Sequence, residues 1–190
     1  MLKRLLGAAA TLALAAALPA HATTVSLAPN GSWHAFDVSD VLSPDNLGWI
    51  DVNTAPDFEA LDFTINVAAG QQVLVTVLDA GWAGDRYEIF DNGQSIGLTS
   101  AVDPNGNGVN VDLNFAAALA NSSFSRGFFV LEAGFHTISG LLTQGSVDGL
   151  NNTVGAISAA PVPLPASLLL LFSGGGLMSL FPRRRKTAAA

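Results

Sequence analysis

Alternation of apolar and polar residues with a period of two is the feature that most restricts this chain. Leu61-Asp62-Phe63-Thr64-Ile65-Asn66-Val67 alternates over seven positions, as a strand with one buried face requires. Ala69-Gly70 interrupts it. Val73 to Leu78 is apolar at five of six positions and β-branched at four, which predicts a strand covered on both faces. Arg86 to Phe90 and Gln94 to Thr99 flank Asp91-Asn92-Gly93, a strong hairpin signal. Gly127 to Leu131 and His136 to Leu142 flank Glu132-Ala133-Gly134 and predict a second hairpin. Thr153 to Ser158 reads as a last strand, and Phe115 to Ala120 is the one stretch that favours a helix. Short strands between Gly, Asn, Asp and Pro clusters predict an all-β sandwich. Their length and spacing suit a jelly-roll-like arrangement of two sheets.

Charge is distributed unevenly. Of the eight basic residues, Lys3 and Arg4 open the chain and Arg183, Arg184, Arg185 and Lys186 nearly close it. All fifteen acidic residues lie between Asp37 and Asp148, where only Arg86 and Arg126 are basic, which leaves that region at −13. Such a surface repels nucleic acid and anionic lipid. It suits divalent cations or a hydrated polymer. The absence of cysteine excludes disulfides, thiolate metal sites and cysteine nucleophiles. A domain of residues 23–160 is long enough to stand on its hydrophobic core alone.

The two ends do not belong to that domain. Residues 1–22 have the form of a secretory signal peptide: Lys3 and Arg4, an apolar run from Leu5 to Leu18, and the small-x-small pattern Ala20-His21-Ala22. Signal peptidase would leave Thr23 as the first residue. In residues 161–190, Pro161-Val162-Pro163-Leu164-Pro165 cannot continue a helix or a central strand, because proline lacks the donor N–H. Ala166 to Phe181 is uncharged, and Pro182 then precedes the Arg183-Arg184-Arg185-Lys186 cluster. As a helix the uncharged stretch would reach ~24 Å, short of a ~30 Å hydrocarbon core. It could insert with the basic cluster held on the cytoplasmic side, and Gly174-Gly175-Gly176 weakens it as a permanent anchor.

That tail resembles the C-terminal sorting signal of the PEP-CTERM family of Gram-negative bacteria. The resemblance rests on Val162-Pro163-Leu164-Pro165, the apolar stretch and the basic cluster, in that order; Leu164 stands where the eponymous pattern has Glu. It implies recognition by an exosortase in the inner membrane and processing near the prolines, hence transient anchoring before release to the surface or matrix. Val77 to Gly93, with Phe124-Ser125-Arg126-Gly127 and Leu131 to His136, resembles a recurrent ectodomain of the same proteins, similar to some secreted fungal sequences. That likeness implies a β-sandwich and brings no catalytic residues.

Several patterns carry possible chemistry. Gly93-Gln94-Ser95-Ile96-Gly97 matches G-x-S-x-G, but a nucleophile elbow needs a helix behind the serine, and this segment continues a hairpin strand toward Pro104. Asp103, Asn105 and Asn107 with Gly108 following match the first half of a calcium loop. Position twelve is Asn114 rather than Glu, and Asp112 falls two places early. The same residues also fill turns. Asp79, Asp85 and Asp91 recur every six residues and suit loop N–H acceptance, with Arg86 able to pair with one of them. Trp33, Trp49 and Trp82 are the aromatics a sugar-binding face would need, and Trp82 sits in a loop between small residues. His136 shares strand parity with Ile138 and Leu142, which predicts a hydrogen-bonded structural role. The expected function is that of a non-enzymatic, exosortase-sorted surface or matrix protein associated with extracellular polysaccharide. The alternatives are a carbohydrate-binding module assisted by calcium at Asp103, Asn105, Asn107 and Asp112, or a small hydrolase using Ser95. No cofactor beyond such a calcium ion is called for.

Overall fold

The computed structural model describes residues 22–39, 41–42, 47–55, 58–149 and 152–163. Ala20, Leu164, Pro165, the Ala166 to Phe181 stretch and the cluster Arg183 to Lys186 lie outside the described residues. Among the described residues no helix is long and apolar enough to cross a membrane.

Among the described residues, nine strands form two sheets facing each other. They are β1 (Ala22–Ser26), β2 (Trp33–Ser39), β3 (Ala60–Val67), β4 (Val73–Ala80), β5 (Arg86–Asp91), β6 (Gln94–Leu98), β7 (Arg126–Leu131), β8 (Gly134–Gln144) and β9 (Asn152–Pro161). One sheet has the order β1-β3-β8-β5-β6, the other β2-β9-β4-β7. All pairings are antiparallel except β1 on β3. The chain is an all-β sandwich.

β3 behaves as its alternation requires. Leu61, Phe63, Ile65 and Val67 are buried, while Asp62 and Thr64 are half-buried and Asn66 is exposed. They meet Val73, Val75 and Val77 of the other sheet in one core. At its centre Phe36 stacks on Trp49 with ring centroids 4.0 Å apart, and Tyr87 meets Phe36 edge-on at 5.3 Å. Two glycines admit this pair of rings. A Cβ on Gly155 would lie 2.3 Å from the Phe36 ring, and one on Gly140 would lie 2.3 Å from Trp49.

β4 departs from the expectation of burial on both faces throughout. Its first half alternates, and only Val77 to Ala80 is buried without interruption. That end gains a second cover, α1 (Phe115–Ala120) and its flanks, which enclose Leu78, Ala83, Ala118 and Phe124. Asn114 caps α1 by accepting the Ala117 N–H at 3.1 Å, and the Arg126 guanidinium donates to the Leu119 carbonyl at the other end.

The Asn92-Gly93 hairpin forms as predicted between β5 and β6. Both turn residues have positive φ, 49° and 77°, the condition for the turn that matches strand twist. The second expected hairpin does not form. β7 pairs with β4 and β8 with β3 and β5, so Glu132 and Ala133 carry the chain from one sheet to the other. Leu131 and Ile138 enter the common core from opposite sheets, and alternation alone does not say which sheet owns a buried face. β9 also runs past Ser158 to Pro161. Pro161 is tolerated at its end because β2 has already stopped opposite Ser158 there, so only the β4 side is paired.

Candidate functional site

The β4–β5 connection must reverse the chain within a few residues, and two carboxylates organise it. Asp79 Oδ2 accepts the N–H groups of Gly84 (3.1 Å) and Asp85 (3.2 Å). Asp85 Oδ1 accepts the Ser146 N–H at 2.6 Å, and its Oδ2 accepts the Thr153 hydroxyl. One side chain therefore ties the β4–β5 loop to the β8–β9 loop and to the start of β9. Both carboxyls have no solvent exposure.

Two buried carboxylates this close do not both ionise. Burial, reinforced by the Asp85 charge, pushes Asp79 up to about 9, and burial raises Asp85 to about 6 against the hydrogen bonds of Thr153 and Ser146. Asp79 therefore holds a proton at neutral pH. Its Oδ1 meets no donor, and a proton there gives it Asp85 as a partner. Burial and the same two carboxyls hold the Tyr87 phenol protonated. The hydroxyl of Tyr87 makes no hydrogen bond of normal geometry. Sealed from solvent, the carboxyls tie the β4–β5 loop to the β8–β9 loop and β9.

What the loop presents outward is Trp82. Gly81 donates to the Asp112 carbonyl at 3.0 Å and accepts from Val111 N–H at 3.0 Å, while Ala83 donates to the Val109 carbonyl at 2.9 Å. Bonds on both flanks fix the backbone, and the indole remains 40% exposed. Trp33 packs against Phe115 and Trp49 lies in the core, so Trp82 is the exposed tryptophan. It borders a cleft of about 210 Å³ lined also by Asp37, Gly81, Asn152, Thr153 and Val154. β2 supplies Asp37 and β9 supplies Asn152 and Thr153. Burial, then the nearby Asp51 charge, raises the Asp37 pKa.

Most of the other residues singled out by sequence fall elsewhere. Asp103 Oδ1 accepts the Asn105 N–H at 3.0 Å and its side-chain amide at 2.8 Å, an Asx turn whose hydrogen bonds lower the Asp103 pKa. Asn107 and Asp112 adopt positive φ, 54° and 50°. Asp112 receives the Asn110 side-chain oxygen on its N–H, and its own carbonyl takes Gly81. Among the described residues no group of three His, Cys, Asp or Glu is arranged to hold a metal. Asp79, Asp85 and Asp91 do not converge: Asp91, at the far end of β5, bonds His136 Nδ1 at 2.7 Å. Arg86 donates to the Thr99 carbonyl and pairs with none of the three. His136 is half-buried, its Nε2 within 2.9 Å of the Glu132 carbonyl. Ser95 donates to Glu88 at 2.6 Å from within β6, and no helix follows.

Sequence reasoning missed Asp37, Asn152 and Thr153 as lining residues. No spacing links them, since β2 and β9 become neighbours only through the sheet. An aspartate set between the apolar Phe36 and Val38 was the one available signal for Asp37.

No family model matches the chain, and no curated protein sequence matches it either. Among solved structures it is similar to the pre-peptidase C-terminal domain of collagenase from Bacillus anthracis, at 11% identity and TM-score 0.40, over 76% of this chain and 99% of that one. It is also similar to a periplasmic inhibitor of g-type lysozyme from Aeromonas hydrophila, at 11% identity and TM-score 0.38, over 74% and 96%. A third likeness is to the insecticidal delta-endotoxin Cry8Ea1 from Bacillus thuringiensis, at 15% identity and TM-score 0.32, over 54% and 18%. Likenesses at these TM-scores carry nothing about the site.

Proposed function

We propose that this chain is an exported, exosortase-sorted protein of the cell surface or extracellular matrix, non-enzymatic and associated with exopolysaccharide. The observation that carries this is the order of the tail: proline motif, uncharged stretch, basic cluster. It follows directly on the last strand. β9 ends at Pro161, and Val162 N–H donates to the Gln72 carbonyl at 3.0 Å. Processing near Pro165 would leave every described strand intact. Signal peptidase would act at Ala20-His21-Ala22 and exosortase at Val162-Pro163-Leu164-Pro165, with Arg183 to Lys186 held on the cytoplasmic side of the inner membrane meanwhile.

The exposed module is a jelly roll on this reading. Apart from β1, the orders β2-β9-β4-β7 and β3-β8-β5-β6 support it, since consecutive strands from β2 to β5 and from β7 to β9 alternate between the two sheets. An intact mass of the surface-associated form is the test. A C-terminus close to Pro165 is expected; a chain still ending at Ala190 in the membrane would make the tail a plain anchor.

A second function, a carbohydrate-binding module, is favoured by the exposure of Trp82 beside a polar cleft. In its calcium-assisted form, Asp103, Asn105, Asn107 and Asp112 would hold the ion. Calorimetry with calcium chloride tests that form, and an absence of both heat and any rise in melting temperature would remove it.

A further inference from the structure

We propose that the cleft between Trp82, Asp37 and Asn152 binds one sugar residue of a neutral polysaccharide, and that it does so without a metal ion. The proposal deepens the association with exopolysaccharide and rests on it. A pyranose offers an apolar C–H face and a rim of hydroxyls. Its receptor needs a flat apolar surface and, beside it, acceptors and donors that are not already engaged.

Trp82 supplies the surface. An exposed tryptophan forgoes the burial that its ring would otherwise gain, and here the exposure is imposed by backbone hydrogen bonds at Gly81 and Ala83 on either side. The platform is therefore held in place before any ligand arrives, which limits the entropy lost on binding.

Asp37 and Asn152 supply the polar groups. The Asp37 carboxylate is half-buried, and among the described residues neither it, nor the Asn152 side-chain amide, nor the Trp82 indole N–H makes a hydrogen bond. A carboxylate accepts from two hydroxyls, an amide both donates and accepts, and the indole donates. The floor is rigid, because Thr153 is held from behind by the buried Asp85. The opening of about 210 Å³ is below the size of drug-binding pockets and suits one ring of a chain that runs on across the surface.

Charge selects among sugars. Asp37 lies in a region of fifteen acidic and two basic residues, and its own carboxyl is already disfavoured as an anion by burial and by Asp51. A uronate or sulfated sugar would add a further negative charge there, so neutral units are the fitting class. The acidic side chain of Asp103 is occupied by Asn105, and the cleft uses none of the calcium-loop residues.

The test uses the full chain, labelled at the tryptophan indole nitrogens, in a detergent that carries no sugar. It is titrated with oligosaccharides of glucose, galactose, mannose and N-acetylglucosamine, and with oligogalacturonate as the anionic comparison. At least one neutral series is expected to shift the Trp82 indole signal and leave that of Trp49 unmoved, unaffected by EDTA. Trp82→Ala and Asp37→Asn are each expected to weaken binding about tenfold or more, with melting temperatures close to that of the parent chain. No shift of Trp82 with any neutral series would overturn the proposal, as would equal binding of oligogalacturonate, loss of binding in EDTA, or full affinity in Trp82→Ala. Sorting is read from the mass of the C-terminus, so capture of sugar can fail while sorting stands.

Discussion

Asp79 accepts the backbone N–H of Asp85 at 3.2 Å while both side chains are entirely shut off from solvent. Two acids in one water-free compartment make the stability of the sandwich depend on pH. The folded-state pKa of Asp79 is raised to about 9 and that of Asp85 to about 6, each from 3.8. A raised carboxyl contributes stability that is complete below its unfolded pKa and is lost as pH climbs through the folded value. The domain is therefore expected to be most resistant to urea at and below about pH 4 and to weaken steadily toward pH 9, setting aside the titration of and repulsion among its other acidic groups.

Asp79→Asn separates that effect from the rest of the surface charge. The amide oxygen can still accept from Gly84 and Asp85, and its NH₂ can donate to Asp85 without titrating. At pH 9 the variant is expected to exceed the parent chain by more than about 1 kcal/mol, and to be no more stable than it near pH 4. Urea midpoints at the two pH values measure this. An identical pH slope in both proteins would place the origin elsewhere.

Thr153→Val removes the hydroxyl that donates to Asp85 while keeping the shape of the side chain. A hydrogen bond to a charged group contributes ~1.5–3 kcal/mol, so a loss of that order is expected at pH 7. At pH 4, where Asp85 is protonated in both proteins, the loss should shrink.

His136 titrates in the opposite region of the sandwich. Partial burial lowers its pKa, but the hydrogen bond to Asp91, the Glu132 carbonyl and the Asp91 charge together raise it above 6.5. Its contribution to stability is present below pH 6.5 and fades as pH rises through the folded value. In an NMR titration the ring protons of His136 should therefore move at a pH above 6.5, and Asp91→Asn should bring that midpoint down. An unchanged midpoint in the variant would show that Asp91 does not hold the charge.

Gly155→Ala tests the close approach in the core. The added methyl would lie 2.3 Å from Phe36 and 3.0 Å from the Leu78 carbonyl. Overpacking of this kind destabilises by ~1–3 kcal/mol. A melting temperature equal to that of the parent chain would mean that the stacked Phe36–Trp49 pair has room to shift.

Local patterns were legible in the sequence wherever one strand or one turn was enough to express them. β3 has its faces written in alternating residues, Asn92-Gly93 states its own turn, and α1 begins at a capping asparagine. β1 and β2 were not foreseen, because Ala22–Ser26 is short and Trp33–Ser39 places an apolar Ala35 outward and an aspartate at a half-buried position. Much of the candidate site was equally hidden. Trp82 drew attention as a loop aromatic, but Asp37 and Asn152 carry no mark that ties them to it.

By itself the sequence determined that the chain is built of strands, that its middle is acidic and that its basic residues gather at the two ends, since these follow from residue order along a short window. Only the tertiary structure decided which strands share a sheet, that β7 and β8 part company at Glu132, and that Asp79 and Asp85 are buried together. Those are consequences of pairing between segments far apart in the chain. Hydrogen bonding between strands is indifferent to side-chain identity, and the compact packing that brings two acids into one dry space is a property of the whole sandwich.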